Sequence, residues 1–221
     1  MSMDKMIPLM LGGIKDTLYM TTVSTLFAYL LGLPIAIVLV LTAPNGLKPQ
    51  KLVYRLLDMV VNIFRSIPIL ILMILVIPVT RAIAGKAYGS TATIVPLVIA
   101  AAPYVARMIE SSLLEVDPGV IEAAQSMGAN IPTIIFKVLI PEAKTSLIVG
   151  ATISCGTILG YSAMSGAIGG GGLGQIAISY GYNRYQTDVL FVTVALLIVL
   201  MQVIQIVGMK ISRKTDKRVR N

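Results

Sequence analysis

Four stretches of the chain contain no Asp, Glu, Lys or Arg: Thr17 to Leu47, Ala87 to Ala106, Thr145 to Asn183, and Val189 to Met209. An uncharged apolar run of about 18 or more residues is long enough to cross the hydrocarbon core of a bilayer as a helix. A further apolar stretch, Leu56 to Val79, carries only Asp58 and Arg65. The pattern predicts an all-α integral membrane fold with five spans, at about 17–41, 56–79, 89–108, 146–167 and 188–209. Pro34, Pro68, Pro78, Pro96 and Pro103 fall within these spans. Each removes a backbone donor and predicts a kink, which a membrane tolerates where neighbouring helices or cavity water take the freed carbonyl. Kinked packing and a gating role are both compatible with this pattern.

Between the third and fourth spans, from Asp117 to Ala143, the pattern changes to alternating polar and apolar positions: DPGVIEAAQSMGANIPTIIFKVLIPEA. Asp117 followed by Pro118 is a helix start, with the acid as N-cap and proline in the first turn. Val120, Ile121, Ala124 and Met127 recur at helical spacing, and Glu122, Gln125 and Ser126 take the other face. Gly128 is placed to end this helix. Asn130 caps a second helix with Pro132 in its first turn, and that helix is expected to bury Ile131, Ile134, Ile135, Val138 and Leu139. Pro141 and Glu142 open the next helix, which leads into the fourth span. The segment is therefore two short amphipathic helices at a membrane surface. Such a unit either connects spans or presents a short rigid helix to a partner protein, with Ala123, Ala124 and Gly128 small enough for close approach.

Composition agrees with a membrane protein. The 221 residues are 56% hydrophobic and 13% charged, against about 25% charged in soluble domains. With Cys155 as the one cysteine and no histidine, no intrachain disulfide and no His/Cys metal site can form. The net charge of +8 is concentrated in the tail at Lys210, Arg213, Lys214, Lys217, Arg218 and Arg220. That pattern is better read as a membrane anchor and topology signal than as a nucleic-acid surface. Lys48, Lys51, Arg55, Lys137 and Lys144 fall on the same predicted side as the tail, and fewer basic residues fall opposite. The bias predicts N-out, C-in, with the 117–143 segment in the cytoplasm.

Two further groups are candidates for function. Charges at membrane depth face protein or water; Arg65 is the deepest, and Arg107 and Glu110 are spaced to pair along one helix face. Small residues along the fourth span allow close helix packing and equally suit a transport pathway between two copies. Within that stretch Tyr161, Ser162, Met164 and Ser165 are the candidate pathway or gate residues, with Met164 able instead to fill a gap between helices. No G-x-x-x-x-G-K-[ST] sequence occurs. Gly169, Gly171 and Gly174 satisfy G-x-G-x-x-G only formally, because they follow a span and not a strand. The glycine run is expected to be a flexible extracytoplasmic turn, and the chain is not expected to hydrolyse ATP.

The 117–143 segment resembles the EAA motif of ABC-importer permeases: Glu122-Ala123-Ala124, three residues, Gly128, nine residues, then Val138-Leu139-Ile140-Pro141 in place of Ile-x-Leu-Pro. NIFRSIP (Asn62–Pro68), AAPYVARMIESSLLEVD (Ala101–Asp117) and GYSAMSGAIGGGGLGQIA (Gly160–Ala177) resemble permeases of methionine ABC importers in particular. The resemblance covers nearly the whole chain and implies a single type I permease domain, 1–221, working as a homodimer in the bacterial cytoplasmic membrane. It makes the EAA segment a coupling helix, in which Glu122, Ala123, Ala124, Gly128 and Pro141 dock an ATPase. It further implies two ATP-binding subunits, which hold the ATP and magnesium, an extracytoplasmic methionine-binding (lipo)protein, and alternating access. No cofactor is expected in this chain. A permease for another small solute, such as a different amino acid, is the alternative within the class. A stand-alone ion-coupled transporter is the alternative outside it, and would call for titratable groups deep in the spans and repeated halves.

Overall fold

The computed structural model of the chain describes residues 3–215, which are helical throughout apart from short connections. The first helix, α1 (Met3–Thr42), begins well before the expected span. Asp4, Lys5, Lys15 and Asp16 keep that first part out of an apolar run without opposing helix formation. α2 (Lys51–Ser66) is followed by α3 (Ile69–Leu75) and α4 (Ile77–Ala84). The expected second span is thus a broken one, because Pro68 sits at φ −55°, ψ 131°, an extended geometry that ends α2 before it. Pro34, Pro96 and Pro103 leave α1 and α5 (Ser90–Leu114) unbroken, and Pro78 lies in the first turn of α4. Four helical stretches have the length and composition to cross a membrane, and α2 with α3, bent by 104° at Pro68, makes a fifth where the pair counts as one span.

After α5 come α6 (Pro118–Ser126) and α7 (Ile131–Thr133). α7 runs through a π turn (Ile134–Leu139) into α8 (Ile140–Glu142) and then α9 (Lys144–Met164). A 3₁₀ turn (Ser165–Ile168), α10 (Gly172–Ile176), a second π turn (Ala177–Tyr182) and α11 (Thr187–Thr215) complete the chain. Lys210, Arg213 and Lys214 lie in the last turns of α11; Lys217, Arg218 and Arg220 lie outside the described residues.

The residues form two compact units. One comprises Met1–Ala28, Ile67–Ala101 and Cys155–Gln205. Its core has two parts: Met20, Met73 and Leu97 with Tyr161 and Ile168 against them, and Met10, Leu173, Ile176 and Val189. The glycine run is built into this unit. The amide N–H of Gly89 donates to the Gly169 carbonyl at 2.9 Å, and the Thr93 hydroxyl donates to Gly170 O at 3.2 Å. The Leu173 N–H donates to the buried Thr17 hydroxyl at 2.9 Å. The expected flexible turn is therefore a packed, partly helical element. The other unit comprises Tyr29–Ser66, Ala102–Ser154 and Ile206–Asn221. Leu39, Val105, Ile109, Leu113, Ile134 and Leu139 are among its fully covered side chains. In it the Ser146 hydroxyl on α9 donates to that of Ser112 on α5 at 3.1 Å.

Candidate functional site

The segment between α5 and α9 folds by local rules. Asp117 Oδ1 accepts from the Gly119 N–H at 2.7 Å, and Pro118 follows as the first residue of α6. At the other end Gly128 N–H donates to Gln125 O (2.9 Å) and Ala129 N–H to Ala124 O (3.1 Å). These two bonds form a Schellman motif, which needs a left-handed residue between them; Gly128 supplies it at φ +80°. A Cβ added there would meet nothing within 4 Å. Gly128→Ala is therefore expected to cost only the left-handed conformation, roughly 1–2 kcal/mol. Faster hydrogen exchange at the amides of Gly128 and Ala129, with α5 and α9 unaffected, would register it. Asn130 Oδ1 then accepts from Thr133 N–H at 3.0 Å, capping α7 as expected. The π turn behind it buries Ile134, Ile135 and Leu139 and packs against α6.

Burial sorts the docking candidates. Glu122, Ala123, Gly128 and Pro141 are exposed, whereas Ala124 is only 4% exposed and faces its own unit. Ala124 thus anchors α6 within its own unit. The apolar face does not pack as one. Ile121 is half-buried, but Val120 is exposed, and so are Met127, at 81%, and Phe136. Large apolar side chains left open on a capped surface element suit contact with a partner or with lipid. Periodicity assigned Val120 and Met127 to the buried side and did not find them.

Of the charges expected at membrane depth, Arg107 and Glu110 join Asp58 in one cluster centred on Arg107. Its Nη1 donates to Glu110 Oε2 at 2.7 Å, the pairing expected within α5. Its Nη2 donates to Asp58 Oδ1 (2.5 Å) and Asn62 Oδ1 (3.1 Å) on α2. Asn62 Nδ2 in turn donates to Asp58 Oδ2 at 3.0 Å. The guanidinium fork thus ties α2 to α5, a geometry suited to two carboxylates at once. The Glu110 side chain is 5% exposed and that of Asp58 31%. Arg65 lies on α2 two turns beyond Asp58 and is exposed.

The pathway candidates separate. The Ser162 hydroxyl is buried and donates to Leu159 O, and that of Ser165 donates to Ser162 O, each at 2.7 Å. Both serve the helix end. Tyr161 is half-buried against the Met20–Met73–Leu97 cluster. Met164 alone is open, at 48%. The same unit carries an open groove of 390 Å³ bordered by Pro8, Gly12, Asp16, Gly171, Gln175 and Ser179.

Residues 28–221 match the family described as binding-protein-dependent transport system inner membrane component. A Vibrio cholerae protein named as a probable D-methionine transport system permease is 49% identical over 95% of this chain and 93% of its own length. The methionine import system permease protein of Bacillus subtilis is 47% identical over 81% of each chain. A solved structure of the MetNI methionine ABC transporter in inward-facing conformations contains a chain that superposes with a TM-score of 0.96 at 45% identity. That match covers 98% of this chain and 100% of the other.

Proposed function

Because the chain belongs to the family of binding-protein-dependent transport system inner membrane components, we propose that it is the permease subunit of an ATP-driven methionine importer. The observation that carries this reading is likeness to methionine permeases along nearly the whole length. The fold adds a capped surface helix with open apolar side chains, which a stand-alone carrier would not need. In this reading two copies of the chain enclose the pathway in the bacterial cytoplasmic membrane, N-terminus out and C-terminus in. α6 is the coupling helix. Glu122, Ala123, Gly128 and Pro141, joined by Val120, Met127 and Phe136, meet a separate ATP-binding subunit, which holds the ATP and magnesium. A methionine-binding lipoprotein delivers substrate to the outer face. ATP binding draws the two coupling helices together and favours the outward-open state, and hydrolysis returns the inward one, so that nucleotide and ligand shift populations between two states.

The test is uptake in proteoliposomes. Methionine import is expected only when the ATP-binding subunit and the binding protein are both present and ATP is supplied on the α6 side. Uptake by this chain alone under an ion gradient would establish the secondary-transporter alternative instead. Met164 is the pathway residue open to substrate. Met164→Ala is expected to change the uptake rate severalfold and to loosen its coupling to ATP hydrolysis. Two unchanged rates would assign Met164 to packing.

A further inference from the structure

The open groove of 390 Å³ lies within one unit, between the first part of α1 and the stretch from α10 into the second π turn. Its volume falls in the range of small-molecule sites. α1 presents Leu9, Gly12, Gly13 and Asp16 to it, at the spacing of one helix face. Gly13 lets the two walls close, because a Cβ there would crowd Ile176, whereas a Cβ at Gly12 meets nothing within 4 Å. The groove therefore opens beside Gly12. Tyr19 and Leu26 stand about two and four turns further along the same side of α1 and are exposed.

Three polar side chains line the groove: Asp16 on α1, Gln175 on α10 and Ser179 in the π turn. None of them makes a hydrogen bond or ion pair among the described residues. Asp16 is the one charged group among the described residues that line it. Three acceptors with a single negative charge match a primary ammonium, which donates three hydrogen bonds. Tyr180 also lines the groove, and the Arg184 guanidinium lies over its ring, 4.4 Å from the centroid. A cation is thus held on the wall of the groove.

The sequence sets the depth of this end of α1. From Thr17 to Thr42 the helix carries no charge and is about 39 Å long. The hydrocarbon core is roughly 30 Å thick, and the headgroup layers add several ångströms on each side. An uncharged run centred on the core leaves Asp16, just before it, among the headgroups. Tyr88, Tyr182 and Tyr185, in the same unit as Tyr19, are exposed too, and tyrosines gather at that boundary. We propose that the groove holds the headgroup of an ethanolamine phospholipid. Its ammonium donates to Asp16, Gln175 and Ser179, its phosphate faces Arg184, and its acyl chains run down α1 past Tyr19 and Leu26. Lipid is favoured over a free amino acid because the same side of α1 continues exposed and apolar below the polar groups. Neither the groove nor its ligand depends on the function proposed above, which decides only that the leaflet is the outer one.

The test is lipid binding to the full-length chain in detergent, followed by native mass spectrometry. Phosphatidylethanolamine is expected to bind about tenfold more tightly than phosphatidylcholine with the same acyl chains, because the trimethylated headgroup donates no hydrogen bond. Asp16→Asn should bring the two affinities together. Asp4→Asn, on the same helix but outside the groove, should keep the parent ratio. Gly12→Leu fills the groove without a backbone clash and should weaken both lipids about tenfold. Arg184→Gln should weaken both alike, since both carry the phosphate. Equal binding of the two lipids by the parent would overturn the proposal, and so would a preference that survives Asp16→Asn. The Asp16 variant changes no buried contact, so the result stands even where Gly12→Leu does not fold. Displacement of the phospholipid by millimolar methionine would give the groove to a free amino acid, and displacement by the binding protein would give it to a protein lysine; either overturns the lipid.

Discussion

Gly174→Ala is expected to lower the stability of the protein in detergent by about 3 kcal/mol or more, at the upper end of overpacking effects. At Gly174 the main chain of α10 lies against the main chain of Ala163 at the end of α9, and a Cβ would fall inside contact distance of the Ala163 carbonyl. Gly166 makes the reciprocal contact, against Gly174 and the Gln175 N–H. Neither side can yield by turning a side chain, so the backbone has to move, and with it the bonds that hold the glycine run to Thr17 and Thr93. Gly12, on α1, is the control. A Cβ there meets nothing within 4 Å, so Gly12→Ala should stabilise by roughly 0.5–1 kcal/mol. Thermal unfolding followed by thiol-reactive dye at the half-buried Cys155 reads both. Gly174→Ala unfolding at the same temperature as the parent would mean the two backbones are not in contact.

The second large effect is expected at Arg107. Arg107→Met keeps the unbranched apolar stem of the side chain and removes the cation shared by Asp58 and Glu110. Removing one partner of a buried ion pair costs about 3–5 kcal/mol. The Arg107 side chain is 25% exposed, so solvent screening places the expected loss at about 3 kcal/mol or below. Adding Glu110→Gln should return part of that loss, because the most buried uncompensated carboxylate is then gone. The double-mutant cycle isolates that coupling. Hydrogen exchange along α2 should quicken in Arg107→Met, since Arg107 supplies two polar contacts that hold α2, to Asp58 and Asn62. A variant within about 0.5 kcal/mol of the parent would show that packing alone positions α2.

What the sequence made legible was local. Asp117, Asn130 and Gly128 act over two to five residues, and their caps and the Schellman end stand where the spacing placed them. Arg107 and Glu110 are one helical turn apart, and they pair. The contact of Arg107 with Asp58 spans 49 positions, and nothing near either residue announces it. The glycine run misled because glycine serves two ends. It loosens a chain in solvent, and it lets two backbones touch in a core, which is its role beside Ala163. Ala124 and Met127 share a helical face in projection, yet one is covered and the other open; where the edge of contact falls on a wide apolar arc is decided by the neighbouring element. The two π turns are slips of hydrogen-bond register that residue type does not mark.

The Arg107 cluster also bears on how the chain enters the bilayer during synthesis. α2 carries Lys51, Arg55, Asp58 and Arg65, and insertion of a charged residue near the middle of a helix costs about 2.5–3.5 kcal/mol on translocon scales. The cation that compensates Asp58 is made 49 residues later. Until α5 has emerged from the ribosome, Asp58 lacks its guanidinium, and α2 cannot hold a stable place in the hydrocarbon by itself. The second span is therefore expected to settle in the membrane only together with the third, and a chain truncated before α5 should leave α2 readily extracted.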